Sequence, residues 1–372
     1  MSVARFHDAV FRGDLETAAK MAEADPSLPT SYNSDRFGAS AMVEAARGGH
    51  FAAVDFLIER GVSPNHGSDW WAGSFSPLIT AIHHRDPAMT EHLVSRGATV
   101  TAYEAAAMGD MVRLGAIVSA DPDAVHVRGG DGQQPLHVAA TPEVAAYLLD
   151  HGANIEARCV DHESTPLQYA NERPAVAQLL LERGARGDIF AYAVVPDTRW
   201  LADALAADPS LATQPFRRSD FPCSTGIVNM YAFNIGDNAQ PVHAAVMRSN
   251  EAGTRILVAH GADLGARGGY DDASPLHFAA WNDSAAIIPT LAELGADLDA
   301  LSGPMHKNSP LGWAIVGGSL AAVRALLAAG ASVWSNHREE AQAGAEGHFQ
   351  YYKRAPMEDR MAIAAAVRAI QA

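Results

Sequence analysis

Two glutamates and a pair of adjacent histidines have the side-chain types that suit acid–base chemistry: Glu44, Glu104, His83 and His84. Glu44 and Glu104 occupy equivalent positions of a repeated unit, two units apart, so their carboxylates lie about 20 Å from each other at ordinary helix spacings. That separation is too large for a direct acid–base pair. Glu104 with either histidine is the closer couple, in which a carboxylate orients an imidazole as general base. An ordinary solvated surface is the competing interpretation.

No motif of known chemistry accompanies these residues. The sequence has no Gly-rich phosphate loop, no His-Glu-x-x-His, no Cys-x-x-Cys and no nucleophile elbow. His83 and His84 cannot both bind one ion, because neighbouring residues of a helix point in different directions. We therefore expect no metal ion and no cofactor, and the sequence leaves open whether the protein is an enzyme.

The composition excludes several classes of partner. A formal net charge of -16 and a pI of about 5.4 argue against binding to nucleic acid or to anionic membranes. The only two cysteines, Cys159 and Cys223, are far apart in the sequence and predict no disulfide framework. Neither a transmembrane run nor a secretory h-region is visible. We expect a soluble cytoplasmic protein.

Helices must position the candidate residues, because a short helix signature recurs ten times along the chain. The clearest copies are QPLHVAA at 134–140 and SPLHFAA at 274–280, each followed about twenty residues later by a Leu-rich segment ending in Gly-Ala. Proline suits the first helical position, Ser or Thr before it can cap the helix, and glycine closes the following helix in a left-handed conformation. A period of this size predicts a solenoid.

With these features the chain resembles the ankyrin repeat family, whose unit of about 33 residues is a β-turn and two antiparallel helices. The resemblance covers residues 6–333 and implies an all-α solenoid of about ten helix-turn-helix repeats with β-hairpin fingers. His137, His243 and His277 fall on the family's own histidine column, where the ring hydrogen-bonds between neighbouring repeats. The resemblance thus favours a structural role over metal binding for these three.

The spacing of the repeats is uneven. The units at Tyr103 and Phe190 begin only about 24 and 22 residues after their predecessors, so each lacks the finger before its first helix. These two units and the first one end in an Asp-Pro phrase, at Asp25, Asp121 and Asp208. We predict one domain over residues 1–372, with triplicated modules at 5–100, 101–187 and 188–300, a last repeat at 301–335 and a C-terminal cap at 336–372. The start of the cap, 336–355, is predicted to be irregular.

In the ankyrin family the inner helices line a concave groove. Carried onto this sequence, the groove is charged in its amino-terminal half and aromatic in the other, and two elaborated loops lie beside it: a finger with two adjacent tryptophans and a long insertion at 213–240. The residues that we expect to bind a ligand or partner are Asp8, Arg47, Trp70, Trp71, Tyr169, Tyr231, Phe278, Trp281 and Trp313.

Two functions fit this surface. The leading hypothesis is a binding protein that recognises a protein or peptide partner through its concave aromatic-rich groove, since Trp, Tyr and Arg anchor protein interfaces. The alternative is an enzyme or a receptor for a small, sugar-like molecule, with its site in the same groove. In that case the Trp70–Trp71 finger and the 213–240 loop close the groove, and Glu44, His83, His84 and Glu104 are its polar groups.

Overall fold

The computed structural model describes residues 2–346 and 355–370, most of which are helical. The α-helices are α1 Val3–Arg12, α2 Leu15–Ala24, α3 Ala41–Gly48, α4 Phe51–Glu59, α5 Pro77–His83, α6 Pro87–Ser95, α7 Ala102–Met108, α8 Met111–Ala120, α9 Pro135–Val138, α10 Pro142–Asp150, α11 Pro166–Tyr169, α12 Pro174–Glu182, α13 Ile189–Val194, α14 Arg199–Ala207, α15 Tyr231–Asn234, α16 Pro241–Met247, α17 Glu251–Ala259, α18 Pro275–Trp281, α19 Ile288–Glu293, α20 Pro310–Gly317, α21 Leu320–Ala329, α22 Ser335–Ala345 and α23 Met357–Ala369.

Extended structure is confined, among the described residues, to one short hairpin and one isolated bridge. Strands β1 (Tyr32–Asn33) and β2 (Ala39–Ser40) pair antiparallel, with Tyr32 opposite Ser40. Gly268 and Ala273 form the bridge. Short 3-10 helices lie at Leu28–Thr30, Ser34–Arg36, Pro122–His126, Gly130–Gly132, Ala170–Glu172, Pro209–Thr213, Arg218–Asp220, Tyr270–Asp272 and Ala285–Ile287. The all-α solenoid predicted from the sequence is confirmed.

The helix starts follow the physical rules of the repeat. In α5 the Ser76 hydroxyl accepts a hydrogen bond from the backbone N–H of Ile79 at 3.0 Å, and Pro77 occupies the first helical position. At α9 the cap is an imidazole: His137 Nδ1 accepts from the N–H of Gln134 at 3.1 Å, so its Nε2 donates to the Ser164 carbonyl of the next repeat at 3.2 Å. The predicted structural role of the histidine column is visible in these two bonds.

The chain divides into two compact units. The first consists of Met1–Ala185 together with the short segment Cys223–Ile227. Its inner helices α1, α3, α5, α7, α9 and α11 pack against one another in chain order. The amino-terminal part of its core is made of fully buried side chains such as Phe6, Met42 and Leu57, each of which contributes about 1.5–3 kcal/mol by leaving water.

The second unit consists of Arg186–Pro222 and Val228–Ala372. Its inner helices α13, α16, α18, α20 and α22 also pack in chain order. Most of the 213–240 insertion belongs to this unit, where Phe216 and Tyr231 are completely buried against Phe190. Phe216 and Tyr231 are therefore core residues of this unit, whereas Phe233 of the same insertion is exposed.

The tail differs from the sequence prediction, because the region predicted to be irregular contains helix α22. Its buried positions are His337, Ala341 and Gly344, which recur with helical spacing but are small or polar and so escape a search for hydrophobic periodicity. His337 Nδ1 accepts from the N–H of Trp334 at 3.1 Å, as in the other histidine-capped repeats. Helices α22 and α23 pack together and form an eleventh pair among the described residues. Parts of the predicted cap, 347–354 and 371–372, lie outside the described residues.

The three Asp-Pro turns have the same backbone geometry. The φ/ψ angles are -144°/94° at Asp25, -142°/97° at Asp121 and -145°/95° at Asp208. Each carboxylate accepts from the backbone N–H two residues later, at 3.0–3.1 Å. These turns support the predicted triplication, which stays a prediction. Among the described residues, no helix is long and apolar enough to cross a membrane.

Candidate functional site

Two carboxylates and one imidazole converge in the first unit. Asp131, Asp161 and His162 each offer one donor atom, and these three atoms lie within 4.8 Å of one another. His162 Nε2 is 3.8 Å from Asp131 Oδ2 and 3.9 Å from Asp161 Oδ2. The side chains of Asp161 and His162 are buried, and that of Asp131 is mostly buried. We call these three residues the carboxylate–imidazole cluster.

Two successive fingers supply the cluster. Asp131 lies on the loop before α9, and Asp161 and His162 lie on the loop before α11. The loops are joined through their backbones, since the Asp131 carbonyl accepts from the N–H groups of Val160 and Asp161 at 2.9 and 3.1 Å. Gly132 permits this approach, because it has a φ of +65° and a Cβ there would lie 2.3 Å from Val160.

A third finger orients the carboxylate of Asp161. The indole N–H of Trp70, on the loop before α5, donates to Asp161 Oδ2 at 3.2 Å. On the other side, the amide of Gln133 approaches Asp131 Oδ2 at 3.5 Å, and Gln133 Oε1 accepts from the buried hydroxyl of Tyr103 at 3.1 Å. Both carboxylates of the cluster are thus positioned by neighbours that are themselves anchored in the fold.

The segment Cys223–Ile227 contacts the same finger. The hydroxyl of Thr225 and the thiol of Cys223 donate to the carbonyl oxygen of Asp161 at 2.7 and 3.3 Å. The backbone N–H of Ser224 donates to the Glu163 carboxylate at 3.1 Å, and the Ser224 hydroxyl donates to it as well. Part of the long insertion therefore fixes the backbone on which Asp161 and His162 stand.

The negative charges of the two carboxylates in the cluster are only partly balanced by the groups around them. The pKa of Asp131 is raised to about 6, mainly by burial and in part by the neighbouring charge of Asp161, whereas His162 opposes the shift. Asp161 is only 3 % exposed, and its Oδ1 has no hydrogen-bond partner. Such an oxygen is costly to bury unless a donor or a cation satisfies it.

The charged residues expected in the groove form an ion network. Glu44 is fully buried, and its Oε2 accepts from Arg36 at 3.2 Å and from Arg47 at 2.7 Å. Arg36 also bonds to Asp8, and the Arg47 guanidinium lies 4.8 Å from the ring centroid of Phe11. Asp8, Glu44 and Arg47 thus come together in one ion network, in which Glu44 Oε1 and Arg47 Nε are buried without a hydrogen-bond partner.

Glu104 has a structural task in the first unit. It completes a capping box at the start of α7, where its Oε2 accepts from Thr101, and its Oε1 accepts from the Ser76 hydroxyl at 2.9 Å. His83 and His84 are exposed at the end of α5. The catalytic roles suggested for Glu44, His83, His84 and Glu104 stay predictions.

The two neighbouring tryptophans of the first unit have different surroundings. Trp70 is partly buried and packs edge-to-face on Phe37, with the ring centroids 5.5 Å apart, whereas Trp71 is exposed. Tyr169 packs edge-to-face on His137 and donates its hydroxyl toward Cys159 Sγ at 3.5 Å. Of these predicted binding residues, Trp70 touches the carboxylate–imidazole cluster.

Tyr231 was expected at a binding surface, and the structure places it in the core of the second unit. It is fully buried, and its hydroxyl donates to the Asp188 carboxylate at 3.1 Å. Burial raises the pKa of Asp188, while hydrogen bonds from the α13 backbone and from Tyr231 lower it in part. The sequence shows an aromatic loop, but not that Phe216 and Tyr231 of this loop face inward.

The aromatic half of the expected groove lies in the second unit and is partly buried. Phe278 and Trp313 are each 8 % exposed, and the Trp313 indole donates to the Ser302 hydroxyl at 3.2 Å. Trp281 packs edge-to-face on Trp313 and is 37 % exposed. Two residues that the sequence analysis did not select, Tyr270 and Met305, continue this patch and are 62 % and 68 % exposed.

Comparison with known families agrees with this architecture. Residues 102–191 match the family described as ankyrin repeats in three copies, and residues 242–292 match ankyrin repeats in many copies. The resemblance to the ankyrin repeat family that the sequence predicts is thus confirmed. Ankyrin repeats generally mediate protein–protein interaction.

Individual similarities are more distant. A curated relative, an L-asparaginase from Dirofilaria immitis, is 28% identical over 177 residues, which span 44% of this chain and only 28% of the relative. A chain of the Bdellovibrio bacteriovorus predatory endopeptidase–immunity protein complex is 20% identical with a TM-score of 0.32, over 48% of this chain and 97% of that one. The human ASB11 ankyrin repeat domain is 22% identical with a TM-score of 0.33, and the match covers 63% of this chain and 86% of that domain.

The ankyrin register shows a second Asp–His pair. Asp131 and His162 each precede the helix-starting proline of their ankyrin repeat by four residues, and so do Asp271 and His306 in the second unit. Asp271 Oδ2 lies 3.1 Å from His306 Nδ1. Asp271 also accepts from the N–H groups of Met305 and His306 at 3.0 and 2.9 Å and from the Ser302 hydroxyl at 3.1 Å. Burial raises the pKa of Asp271, but these hydrogen bonds outweigh it and lower the pKa below its usual value.

Sequence reasoning missed Asp131, Asp161 and His162. A signal existed, since aligning the ankyrin repeats on their prolines places an Asp and a His at one finger position in consecutive repeats. Asp131 precedes glycine, however, which is the ordinary composition of a tight turn. The contact with Trp70 joins residues 91 positions apart, which no local pattern reveals.

Proposed function

We propose that this protein binds a protein partner through an aromatic strip of its second unit, formed by Trp281, Trp313, Tyr270 and Met305. The ring centroids of Trp281 and Trp313 are 5.9 Å apart, and those of Trp313 and Tyr270 are 6.4 Å apart. The Tyr270 hydroxyl lies 3.3 Å from Met305 Sδ. The strip thus runs from the inner helices α18 and α20 to the fingertips.

The observation that carries this proposal is the exposure of neighbouring large apolar side chains. Tyr270, Met305 and Trp281 are exposed although each is large enough to contribute substantially to a core. Contiguous exposed apolar surface marks interaction sites, and Trp, Tyr and Met are enriched in protein interfaces. Trp281 and Trp313 of this strip are also residues for which the sequence predicts a binding role.

The charge of the protein narrows the chemistry of the partner. A formal net charge of -16 favours a partner whose apolar contact residues are flanked by Lys and Arg, because complementary charge speeds association. We further propose a cytoplasmic location, which the two free cysteines support. The positively charged partner and the cytoplasmic location are proposed independently of the aromatic strip.

A photo-crosslinking amino acid at Tyr270 tests the proposal, with the same amino acid at the exposed Val112 of α8 as control. We expect a protein crosslinked from Tyr270 only. In titrations with that purified protein, Tyr270→Ala and Trp281→Ala should each weaken binding at least about tenfold, which corresponds to about 1.4 kcal/mol. Val112→Ser should leave affinity unchanged. Equal affinities for all variants, or the same crosslinks from both positions, would refute the proposal.

A second candidate function is a small-molecule or catalytic site in the first unit. One observation favours it: Trp70 and the carboxylate–imidazole cluster converge in a buried place, where perturbed titratable groups often mark functional sites. The elaborated Trp70 finger and the segment Cys223–Ile227 both contact this place.

A further inference from the structure

We infer that the carboxylate–imidazole cluster binds one divalent transition-metal ion of the zinc class, held by one oxygen of Asp131, one oxygen of Asp161 and Nε2 of His162. This site goes beyond the proposed protein-binding function and would persist if the aromatic strip bound nothing. The sequence shows no metal-ligand spacing, because the three ligands come from two separate fingers.

The geometry of the three side chains is close to that of a metal site. Tetrahedral zinc with bonds of about 2.0–2.1 Å holds its ligand atoms about 3.3 Å apart. The distances from His162 Nε2 to the two carboxylate oxygens are 3.8 and 3.9 Å. Side-chain rotations that bring each carboxylate oxygen about half an ångström closer to Nε2 would match these two distances to those of a zinc site.

A buried unsatisfied oxygen is the second observation that points to a ligand. Asp161 is 3 % exposed, and its Oδ1 accepts no hydrogen bond. Its other oxygen accepts from Trp70, which fixes the orientation of the carboxylate. Hydrogen bonds of this kind to a ligating carboxylate are typical of metal sites. A cation bound to the Asp161 carboxylate would balance the two negative charges and offset the cost of burying this group.

The donor set selects the kind of ion. Two carboxylate oxygens with one imidazole nitrogen suit zinc, manganese or iron, whereas calcium and magnesium prefer oxygen ligands alone. Three protein ligands leave a coordination position open, as in catalytic zinc sites, where water or substrate occupies it. The site therefore also offers a Lewis acid to the second candidate function.

An ion triad without a metal explains the cluster less well. A protonated His162 would be expected to donate to a carboxylate at about 2.7–2.9 Å. The observed distances of 3.8 and 3.9 Å are too long for that hydrogen bond. The equivalent pair in the second unit does form such a contact, at 3.1 Å, and has Met305 where the first unit has Asp161. It thus lacks the second carboxylate and provides a matched control.

Calorimetric titration of the untagged, chelator-treated full chain with zinc tests the site. We expect one ion to bind with high affinity, and magnesium to bind at least about 100-fold more weakly. Asp161→Asn and His162→Gln should each lower the zinc affinity at least about 100-fold, and Trp70→Phe about tenfold. His306→Gln, at the equivalent position of the second unit, should bind zinc like the wild type. Unchanged zinc affinity in Asp161→Asn and His162→Gln would overturn the inference.

A measurement on the wild type keeps the test decisive if the variants do not fold. Zinc should slow amide hydrogen exchange in residues 129–133 and 159–164, and leave exchange in 268–274 and 302–309 of the second unit unchanged. If zinc left the rate of amide hydrogen exchange unchanged in both fingers of the first unit, the inference would also be overturned. Cobalt should give no thiolate charge-transfer absorption, since such a band would assign the ion to Cys159 or Cys223 instead.

Discussion

The two units place an aspartate and a histidine at the same ankyrin finger position, with opposite consequences. In the second unit Asp271 accepts hydrogen bonds from two backbone N–H groups, a hydroxyl and an imidazole, and its pKa is lowered. In the first unit burial raises the pKa of Asp131 to about 6, and the adjacent Asp161 keeps one oxygen unsatisfied. The same finger position thus holds an aspartate satisfied by hydrogen bonds in the second unit. In the first unit it belongs to a site that we infer to bind a cation.

The difference depends on a single neighbouring residue. Met305 precedes His306 and contributes a backbone N–H to Asp271, whereas Asp161 precedes His162 and adds a second negative charge. The glycines beside Asp131 bring the fingers of the first unit close together, so this added charge cannot move away into solvent. In this protein, function therefore has to be argued from the hydrogen bonds and charges of individual finger residues, and not from the repeat itself.

The largest expected effect is that of removing each aspartate charge. Asp271→Asn should destabilise the second unit by about 1.5–3 kcal/mol, because an amide N–H2 would face the donors that now share a carboxylate. Asp131→Asn should stabilise the metal-free first unit by about 1–3 kcal/mol, since it removes a buried charge at neutral pH. Asparagine tolerates the left-handed backbone at both positions, with φ of 55° and 52°.

Hydrogen exchange under increasing denaturant, evaluated separately for peptides of each unit, measures both changes. The comparison rests on their opposite signs. Destabilisation of similar size by both substitutions in metal-free protein would mean that Asp131 is as well satisfied as Asp271, and the contrast between the two fingers would be lost.

A smaller effect is expected where the units are alike, in the histidine column. Burial lowers the pKa of His137 and of His277 from 6.5 to about 4. Between these values the unfolded chain binds a proton that the folded chain does not, so stability falls as the pH falls from 6.5 toward 4. Each histidine contributes about 1.4 kcal/mol per pH unit to this loss. Replacement by glutamine should remove that contribution.

Glutamine is a suitable replacement because the protein uses Gln168 at this position, where its side-chain oxygen accepts from the N–H of Thr165 at 3.0 Å. Denaturant unfolding of His137→Gln and His277→Gln between pH 7 and pH 4.5 should show an equal flattening of the pH dependence in the two units. A flattening in one unit alone would show that the columns are not equivalent.

The smallest effect concerns the residue that directly follows His162 in the first unit and His306 in the second. Its backbone is left-handed in both units. Glu163 has a φ of 47° and Lys307 a φ of 45°. Lys307→Gly should stabilise the second unit by about 0.5–1 kcal/mol by relieving this strain. Glu163→Gly should give no net gain, because the lost carboxylate holds the backbone N–H of Ser224. Thermal unfolding of the two variants compares them, and an equal gain in both would show that the bond to Ser224 contributes little.

The sequence predicted most of the fold for clear physical reasons. Prolines after Ser76, Thr165, Ser274 and Ser309 begin inner helices, and a periodic signal of this kind survives large variation elsewhere. Helix α22 escaped because its buried face consists of His337, Ala341 and Gly344. The carboxylate–imidazole cluster escaped because it depends on contacts among Trp70, Asp131 and Asp161, and loop residues carry no periodicity that records which neighbour they will meet.

The three Asp-Pro turns have a consequence for engineering the array. Their backbone angles agree within a few degrees at Asp25, Asp121 and Asp208, so the chain leaves all three outer helices in the same direction. A segment that starts at one turn is therefore compatible in its covalent geometry with the helix that ends at another. We therefore expect that a segment between two of these turns can be duplicated or exchanged with the backbone geometry of the joint unchanged.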